Sequence, residues 1–569
     1  MRASTTATHL PLCLVLAACS VDDSGSEHVP GHHEGVEEAD EALTDLSAQC
    51  TFAGSGLMTL TLHGGDIALI ARASDGRILI NGFECNGATA TTLKRLEVSE
   101  GTAGDETLIL DYSGGLFALG TSGAVGITVD LAGETAGDAL KIIGLTGNDS
   151  FVFGSTGLAI NADGFRDITA TGIEEYVASL GSGNDSFSGA GSAATGAAFA
   201  PAVELFGGAG NDTLRGGAGD DLVSGGDGTD LLAAGTAADG ADTMNGGGGV
   251  DTADYGARTA AVTVSIDGAA NDGAAAGGEG DLVAADVETI KGGSAGDILS
   301  GGAGSQTVFG GPGDDTLAGG AGDDVMHGEA GDDRFDEGSA SSGADVMNGG
   351  AGTDTADYSA RLATVAVALD GLAGDGEGGE SDRVAIDVEN VTGGAGDDSL
   401  TGSTAANLLV GGGGGDSLLG ADGNDLLRGG AGDDVLDGGG GNDTLDAEAT
   451  ASGGDTMIGG AGIDHVTYAG RSGAVVVVMD GSTPGGESGE TDTVGADVEN
   501  LTAGPGDDEV TGNGMDNVLS GGDGTDTLAG SAGDDTIDGD AGDDEIDCGT
   551  GDADVLLDST TASNSGCEL

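Results

Sequence analysis

A nine-residue unit, Gly-Gly-x-Gly-(Asp/Asn)-Asp-x-Leu-x, recurs through more than half of the chain and restricts its fold more than any other feature. Three copies follow one another without a gap from Gly207, and they read GGAGNDTLR, GGAGDDLVS and GGDGTDLLA. Further runs begin at Gly301, Gly411 and Gly521. A unit this short cannot bury an apolar face alone, so neighbouring copies must stack on one another. The repeat therefore predicts a solenoid.

The residue types within the unit have separate roles. The glycines permit positive φ angles and let the backbone carbonyls turn inward. The first six residues are predicted to form a turn and the last three a short strand, whose central residue points to the core. In one run this eighth position holds Leu317, Met326 and Phe335. One apolar residue per strand makes a thin core, so another force must stabilise the fold.

The charge of the chain indicates that force. The sequence contains 99 Asp plus Glu against 15 Lys plus Arg, which gives a formal net charge of −84. Such self-repulsion opposes a compact state unless the carboxylates are neutralised. Carboxylate and carbonyl oxygens are the ligands that Ca²⁺ prefers. A nucleic-acid partner is disfavoured, because phosphate binding requires a basic surface. The residues therefore predict calcium as the partner.

Two other interpretations compete with calcium binding. High charge with only 3% aromatic residues favours intrinsic disorder, although disorder does not require aspartates and leucines at fixed intervals. Asp-Gly and Asn-Asp pairs are also common turn formers. That explanation suits one isolated copy of the unit better than many copies in tandem.

These nonapeptides resemble the RTX, or haemolysin-type, calcium-binding repeat family. The resemblance implies a right-handed parallel β-roll in which two nonapeptides make one turn and calcium lies between successive turns. In that family the metal is held by the sixth-position aspartate and by glycine carbonyls. The carboxylates that the resemblance assigns to calcium are Asp212, Asp221, Asp230, Asp315, Asp324, Asp333, Asp398, Asp416, Asp425, Asp434, Asp443, Asp526, Asp535 and Asp544. Gln306, Asn407 and Asn517 occupy the sixth position in their copies, which predicts weak or missing sites there.

A longer repeat overlies the short one. Tyr255, Tyr358 and Tyr468 lie in the related segments DTADYGAR, DTADYSAR and DHVTYAGR, and a strand-like apolar run follows each. An acidic, glycine-rich loop comes next in all three copies, and insertions of this kind usually project from a solenoid. The loops are predicted either to bind further ions or to form solvated surface. They comprise residues 268–281, 371–383 and 481–492.

The predicted fold class is all-β: a calcium-stabilised parallel β-roll, or β-solenoid, with an N-terminal β-rich cap domain. In residues 50–200, alternating apolar runs and Gly/Asp turns predict strands, arranged either as a β-solenoid or as a β-sandwich. The predicted segments are a signal peptide (1–18), a disordered acidic tether (19–49), a β-rich domain with degenerate repeats (50–200), two repeat blocks with insertions (201–345 and 346–455), a third block (456–547) and a C-terminal cap (548–569).

The N-terminus predicts export. Arg2 precedes the apolar stretch Leu10–Ala18, which is too short to span a bilayer and suits a signal peptide. Leu16-Ala17-Ala18-Cys19 resembles a bacterial lipobox, which implies cleavage before Cys19 and lipid attachment to it. The alternative is an ordinary signal peptide. The predicted location is extracellular, at the bacterial outer-membrane surface, with the membrane contacted only through the lipid.

Four further cysteines remain after the signal peptide and Cys19. Cys50 and Cys85 lie near one end of the predicted folded region, and Cys548 and Cys567 near the other. Disulfides form in the oxidising compartments to which such a protein is exported. Four cysteines allow three connectivities, and proximity in sequence favours Cys50–Cys85 with Cys548–Cys567.

The sequence does not predict an enzyme. It contains no His-Glu-x-x-His, and its Gly-x-Ser-x-Gly string, residues 292–296, lies inside a nonapeptide. The predicted function is calcium binding in an exported, surface-anchored structural or adhesive protein, with an unidentified cell-surface or polysaccharide ligand. The alternative is an extracellular degradative enzyme with an unrecognised active site in residues 50–200.

Overall fold

The structure is a computed structural model of the chain. The signal peptide (1–18), Cys19 and nearly all of the tether (19–49) lie outside the residues that it describes. Those residues are 46–567 without 47–48, 54, 56, 64, 74–76, 90–92, 94, 103–105, 115–126, 132–136, 161–165, 276–278, 449–452, 558–562 and 566. Contacts within the chain divide it into two compact units, residues 1–227 and residues 228–569.

The described residues form β-strands and no α-helix. Accordingly, none of them belongs to a helix with the length and apolar character needed to cross a membrane. The strands of the first unit are β1 (Cys50–Phe52), β2 (Leu57–His63), β3 (Ile67–Arg72), β4 (Arg77–Ile80), β5 (Phe83–Thr89), β6 (Arg95–Thr102), β7 (Thr107–Asp111), β8 (Ile127–Asp130), β9 (Ala139–Ile143), β10 (Ser150–Gly154), β11 (Gly157–Ala159), β12 (Ile168–Thr171), β13 (Glu175–Ser182), β14 (Ser186–Ser188), β15 (Val203–Ala209), β16 (Thr213–Arg215) and β17 (Leu222–Gly228), whose last residue opens the second unit.

The strands of the second unit are shorter. They are β18 (Leu231–Ala233), β19 (Thr243–Gly249), β20 (Thr252–Asp254), β21 (Val262–Ser265), β22 (Gly273–Ala274), β23 (Leu282–Val283), β24 (Thr289–Lys291), β25 (Ile298–Ser300), β26 (Thr307–Pro312), β27 (Thr316–Ala318), β28 (Val325–Ala330), β29 (Arg334–Asp336), β30 (Val346–Ala351), β31 (Thr355–Asp357), β32 (Val365–Ala368), β33 (Gly376–Glu377), β34 (Arg383–Val384), β35 (Asn390–Thr392), β36 (Ser399–Thr401), β37 (Leu408–Gly413), β38 (Ser417–Leu419), β39 (Leu426–Ala431), β40 (Val435–Gly440), β41 (Thr444–Asp446), β42 (Thr456–Ala461), β43 (His465–Thr467), β44 (Val475–Val478), β45 (Gly486–Glu487), β46 (Thr493–Val494), β47 (Asn500–Thr502), β48 (Glu509–Thr511), β49 (Val518–Ser520), β50 (Thr527–Ala529), β51 (Thr536–Asp538), β52 (Glu545–Asp547), β53 (Val555–Leu556) and β54 (Ser563–Ser565).

The described residues of the first unit form three parallel ladders with a few antiparallel hairpins. One ladder runs β2–β6–β8–β12, another β3–β7–β9–β13–β15 and the third β10–β14–β16. Antiparallel pairing joins β1 to β2, β3 to β4, β4 to β5, β10 to β11 and β11 to β12. Of the two architectures that the sequence left open, the parallel ladders match the solenoid.

In the second unit, the register of the strands shows how many nonapeptides make one turn. The central residues Leu299, Leu317 and Phe335 lie opposite one another in consecutive strands of one parallel sheet. Consecutive members of that series are two nonapeptides apart, so each turn contains two nonapeptides. All ten eighth-position residues assigned to the core are buried: Leu214, Val223, Leu232, Leu317, Met326, Phe335, Leu418, Leu427, Leu436 and Leu445.

Some strands are longer than the sequence predicts. Thr316–Ala318 covers the last three residues of its nonapeptide, as expected. Val325–Ala330 instead continues through the next three residues, because Gly311 and Pro312 pair with Glu329 and Ala330 of the following turn. Alternate nonapeptides in several runs therefore extend their pairing into the glycine-rich turn.

The three insertions join the sheets rather than only projecting from them. In the first, Val262–Ser265 pairs in parallel with Ile298–Ser300, and its other edge forms a short antiparallel hairpin with Gly273–Ala274. The second and third insertions repeat this arrangement. The hairpin partners Gly273–Ala274, Gly376–Glu377 and Gly486–Glu487 lie within the acidic loops, so these loops take part in the pairing.

Candidate calcium sites

The sixth-position aspartates are buried in columns that follow the stacking of the turns. All fourteen predicted ligands are at most 2% exposed. Burying a carboxylate is costly unless its oxygens find hydrogen-bond donors or a cation. The partners of the two oxygens therefore indicate what the columns are built to hold.

One oxygen of each carboxylate has a main-chain donor. Oδ1 of Asp434 accepts a hydrogen bond from the N–H of Asp416, one turn earlier, at 2.7 Å. Oδ1 of Asp443 accepts one from Asp425 at 2.9 Å. The same bond recurs along each column, and it fixes the orientation of the carboxylate toward the previous turn.

The other oxygen of most of these carboxylates has no hydrogen-bond partner. An unpartnered buried carboxylate oxygen costs free energy, and a bound cation removes that cost. Buried Oδ2 atoms of this kind belong to Asp315, Asp324, Asp333, Asp416, Asp425, Asp434, Asp443, Asp526, Asp535 and Asp544 among the predicted ligands.

The unpartnered oxygens face a place that only a glycine leaves empty. A Cβ atom added to Gly420 would lie within 3 Å of both Asp425 Oδ2 and the carbonyl oxygen of Gly438, one turn later. A Cβ on Gly438 would meet Asp443 Oδ2 and the Gly459 carbonyl in the same way. Oxygens from two successive turns thus converge at the first glycine of the nonapeptide.

The second and fourth glycines shape the turn around that place. Gly430 and Gly432 have φ angles of 103° and 143°, which side chains other than glycine rarely adopt. Among the described residues, no three or more His, Cys, Asp or Glu side chains form a cluster that would hold a metal ion. The oxygens that converge are one carboxylate and main-chain carbonyls, which is a ligand set that calcium accepts.

Burial also changes the acidity of the column. It raises the pKa of Asp425 and Asp434 to about 7, and repulsion from neighbouring carboxylates adds to the effect. For Asp434 these neighbours are Asp455 and Asp416. A cation between the turns opposes both causes, because it attracts the ionised form.

Two of the predicted ligands have different surroundings. Both oxygens of Asp398 accept main-chain hydrogen bonds, from Val365 at 2.8 Å and Gly394 at 2.6 Å. Asp221 accepts from Val203 and Gly217 in the same manner. The recurring bond is present within the first unit as well, where Oδ1 of Asp212 accepts from Asp185 at 2.7 Å.

An asparagine side chain at the sixth position contains an N–H donor of its own. Nδ2 of Asn407 donates to the carbonyl of Glu389 at 2.7 Å, and Nδ2 of Asn517 donates to the carbonyl of Glu499 at 3.0 Å. A side-chain N–H here bonds a main-chain carbonyl of the previous turn. Oε1 of Gln306 accepts the N–H of Gly302 at 3.0 Å. Weak or missing sites at these three copies stay a prediction.

Sequence reasoning missed several carboxylates of the same columns. Oδ1 of Asp345 accepts from the N–H of Asp324 at 2.8 Å, and Oδ1 of Asp354 accepts from Asp333 at 2.9 Å. The copy of Asp345 lacks part of the Gly-Gly-x-Gly start, whereas the copy of Asp354, GGAGTDTAD, keeps that start but has Ala356 at the eighth position. The shorter pattern Gly-x-Asp-x-apolar would have found them. It also finds Asp149, Asp185, Asp251, Asp455, Asp464 and Asp508, whereas Asp297 follows Gly296 directly and does not fit it.

The fifth position forms a separate, exposed ladder. Oδ1 of Asp314 accepts the main-chain N–H of Asp332 at 3.0 Å, and Oδ1 of Asn424 accepts that of Asn442 at 2.8 Å. Asn serves as well as Asp in this ladder, because only an acceptor oxygen is needed. The turn-forming role and the carboxylate role, which compete in the sequence, thus belong to neighbouring residues.

The cysteines outside the N-terminal segment are paired. Disulfide bonds join Cys50 to Cys85 and Cys548 to Cys567, the two pairs that lie closest in sequence. The first connects β1 with β5 at the start of the first unit.

Comparison with protein families assigns the repeat region. The family described as RTX calcium-binding nonapeptide repeat matches residues 204–232, 236–253, 285–317, 309–338, 339–356, 387–418, 419–449, 450–467, 493–528 and 520–555. No curated protein matches the chain. All fourteen predicted aspartates lie within the matched segments, and these segments contain the columns described above. The matched segments between residues 204 and 555 are therefore RTX nonapeptide repeats, and such repeats bind Ca²⁺.

Proposed function

We propose that this chain is an exported, non-catalytic protein in which calcium orders a structural or adhesive scaffold. The observation that carries the proposal is the column of buried carboxylate oxygens without a hydrogen-bond partner. At low calcium the repulsion within the column opposes folding. At the calcium concentrations outside cells the ions fill successive turns, and the solenoid closes cooperatively because each turn needs its neighbour.

The proposed ligands are the fourteen sixth-position aspartates together with first-position glycine carbonyls. At Asp425, for instance, the ligand atoms are Asp425 Oδ2 and the carbonyl of Gly438, which converge beside Gly420. The shorter-pattern carboxylates Asp354 and Asp464 have the same unpartnered oxygen and join this set. Calcium supplies the counter-charge that lets adjacent carboxylates remain ionised at short range.

A calcium titration of the full chain, followed by circular dichroism, tests the proposal. We expect a cooperative gain of β-sheet signal with calcium and none with magnesium at equal concentration, because Mg²⁺ demands a stricter geometry and gives up water reluctantly. A spectrum that does not change with calcium would contradict folding on calcium binding.

The location is part of the same proposal. The lipobox-like sequence supports a tether (19–49) that is anchored to the outer membrane through Cys19 and that carries the β-rich domain and the three repeat blocks. We expect Cys19→Ala to move the protein from the membrane fraction to the soluble fraction, while Cys13→Ala leaves it in place. Equal fractionation of both variants would contradict lipid anchoring.

The absence of catalysis is tested separately. The repeat family is a calcium-binding family and not a catalytic one, which supports a scaffold that presents its insertions to a cell-surface or polysaccharide ligand. We expect the calcium-loaded chain to release no reducing sugar from polysaccharides. Hydrolysis that survives calcium removal would favour the alternative, an enzyme with its active site in residues 50–200.

A further inference from the structure

Each insertion carries a buried arginine at the same place, three residues after a buried tyrosine. Arg258, Arg361 and Arg471 are at most 3% exposed, although the whole chain has only 15 Lys plus Arg. The N–H of each arginine donates to the carbonyl of its tyrosine at 2.8 Å, so one turn positions both side chains. The three tyrosines are Tyr255, Tyr358 and Tyr468.

The guanidinium of Arg361 connects the acidic loop to the turn that it leaves. Its Nη1 lies 2.9 Å from Glu380 Oε1 in the loop. Its Nη2 lies 3.1 Å from Ser342 Oγ and 3.4 Å from Glu337 Oε2. Glu380 in turn accepts hydrogen bonds from the N–H groups of Ser342 and Glu377. The Arg361 guanidinium thus contacts oxygens from segments that are distant in sequence, and the carboxylate of Glu380 accepts main-chain N–H groups from two of these segments.

The other two insertions repeat this contact. Arg258 Nη2 lies 2.7 Å from Glu279 Oε1, and Arg471 Nη1 lies 2.7 Å from Glu490 Oε1. Each of these guanidinium groups also donates to a main-chain carbonyl of the turn. The two carbonyl acceptors are those of Ala234 and Ala447. Carboxylates and main-chain carbonyls are the same oxygen types that converge at the nonapeptide turns.

The tyrosine satisfies the carboxylate oxygen that the nonapeptide turns leave without a partner. Asp382 ends its column, and its Oδ1 accepts the N–H of Asp345 at 2.9 Å. Its Oδ2 accepts the Tyr358 hydroxyl at 3.1 Å, whereas Oδ2 of Asp425 has no hydrogen-bond partner. Tyr255 with Asp281, and Tyr468 with Asp492, form the equivalent bonds at 3.1 and 3.0 Å.

The carboxylate that faces Arg361 is held in its ionised form. Burial by itself opposes ionisation of Glu380, but the N–H groups of Glu377 and Ser342 and the Arg361 guanidinium outweigh it, so the pKa lies below its usual value. The charge of Glu380 is therefore balanced within the protein by Arg361.

We propose that these three arginines are built-in cations, which take at each insertion the role that calcium has at a nonapeptide turn. The insertion turns are then ordered before calcium binds. Because a solenoid turn is stabilised by contact with its neighbour, an ordered turn next to each nonapeptide block lowers the cost of ordering the first calcium-dependent turn beside it. The sequence predicted that the acidic loops bind further ions or form solvated surface. In this proposal the three arginines partly neutralise the charge of these loops.

Hydrogen exchange of the full chain in EGTA tests the proposal. In the wild type we expect the amides of Ser342, Asp345 and Glu377 to exchange at least about tenfold more slowly than those of Asp416 and Asp425. Arg361→Gln removes that protection at Ser342 and Glu377. The proposal would be overturned if these amides exchange as fast as the nonapeptide amides in the wild type. It would also be overturned if they stay protected in the variant.

Two controls distinguish an effect of Arg361 on its own turn from a general effect of charge or misfolding. Arg428→Gln removes an arginine of the same block whose side chain is 42% exposed and bonds Asp446, and it should leave the amide of Ser342 protected. In the Arg361→Gln chain itself, the Asp455 amide of the third insertion should keep its protection. If Arg428→Gln also removes protection at Ser342, or if Arg361→Gln removes protection at both insertions, Arg361 does not act on its own turn alone.

A calcium titration of the variants gives an independent measurement. We expect Arg361→Gln to raise several-fold the calcium needed to protect Asp324, whose N–H donates to Asp345 from the neighbouring nonapeptide turn, and to leave the requirement at Asp526 unchanged. Tyr358→Phe, which keeps the guanidinium, should lower protection at Asp345 more than at Ser342. An unchanged calcium requirement in Arg361→Gln would contradict the role of a built-in cation.

Discussion

The first strands of the chain and the nonapeptide strands both form parallel ladders, but they are stabilised differently. The strand Leu57–His63 buries Met58, Leu60 and Leu62, and a disulfide between Cys50 and Cys85 joins its antiparallel partner β1 to β5. The strand Thr316–Ala318 buries a single apolar residue. Since a fully buried aliphatic side chain contributes about 1.5–3 kcal/mol, the first strands carry their own stability and the nonapeptide strands need another source. The carboxylate columns indicate that this other source of stability is bound calcium.

The largest expected effect is the loss of the nonapeptide region when calcium is removed. In EGTA we expect the amides of Asp315 and Asp416 to lose all protection from hydrogen exchange. Amides within Leu57–His63 should stay protected, because their ladder depends on apolar burial and a disulfide. Hydrogen exchange with and without EGTA checks this difference. Equal loss in both regions would show that the first strands also depend on calcium.

The second effect is a pH dependence of the calcium requirement. Burial, and then neighbouring carboxylates, raises the pKa of Asp315 and Asp425 to about 7 in the calcium-free fold, against an ordinary 3.8. A raised pKa means that the folded state binds protons more tightly than the unfolded state. The calcium-free fold is therefore most stable below about pH 4 and loses that stability as the pH rises toward 7.

Calcium binds the ionised carboxylates, so protons compete with it. Between pH 8 and pH 6 we expect the calcium midpoint of folding to rise about tenfold, since one pKa unit corresponds to a factor of ten. Circular dichroism titrations at several pH values measure the midpoint, and the Leu57–His63 amides serve as a region without this dependence. A midpoint that is the same at pH 6 and pH 8 would contradict the buried columns.

The third effect distinguishes two adjacent aspartates. Oδ2 of Asp434 is buried without a hydrogen-bond partner, whereas Asp433 is exposed and accepts the N–H of Gly454 at 2.9 Å. Asp434→Asn should lower stability in saturating calcium by about 1–3 kcal/mol, because a charged ligand is lost. Without calcium it should not destabilise, since an amide adds no charge. Asp433→Asn, the matched control, keeps its acceptor oxygen and should leave stability unchanged both with and without calcium.

Thermal melts of both variants, with and without calcium, measure this difference. An equal loss of stability in the two variants would mean that Asp434 is only a turn former.

The smallest effect concerns turns that have lost their second glycine. Ala421 and Ser531 occupy that position with φ angles of 78° and 79°, a conformation that costs a residue with a Cβ about 1–2 kcal/mol. Ala421→Gly should therefore raise stability by about 1 kcal/mol in saturating calcium. Ala431→Gly, at a position without a positive φ angle, should lower it by about 0.5–1 kcal/mol. A destabilising Ala421→Gly, measured by thermal melting, would contradict the strain assigned to this turn.

Much of the candidate site was predictable from the repeat itself. A nine-residue period with one apolar residue and one sixth-position aspartate predicted the stacked turns, the inward series Leu317–Met326–Phe335 and the buried carboxylates, because each of these depends on residues within one copy. The shorter pattern Gly-x-Asp-x-apolar would have added Asp345 and Asp354. The full glycine start was the wrong requirement for Asp345, and a large apolar eighth residue was the wrong requirement for Asp354, since the column needs only the carboxylate and the main chain around it.

What the sequence by itself determined is the local unit: a turn that brings oxygens together, a strand with one buried side chain, and a charge that requires a cation. What only the tertiary structure decided is which oxygens receive which partner. Asp425 Oδ2 is left without a donor and Asp382 Oδ2 receives a tyrosine hydroxyl, although each aspartate is followed two residues later by a buried apolar residue. The physical reason is that the partners of Asp382, like those of Arg361, come from the far side of an insertion, and only the folding of that insertion against its turn brings them within hydrogen-bond distance.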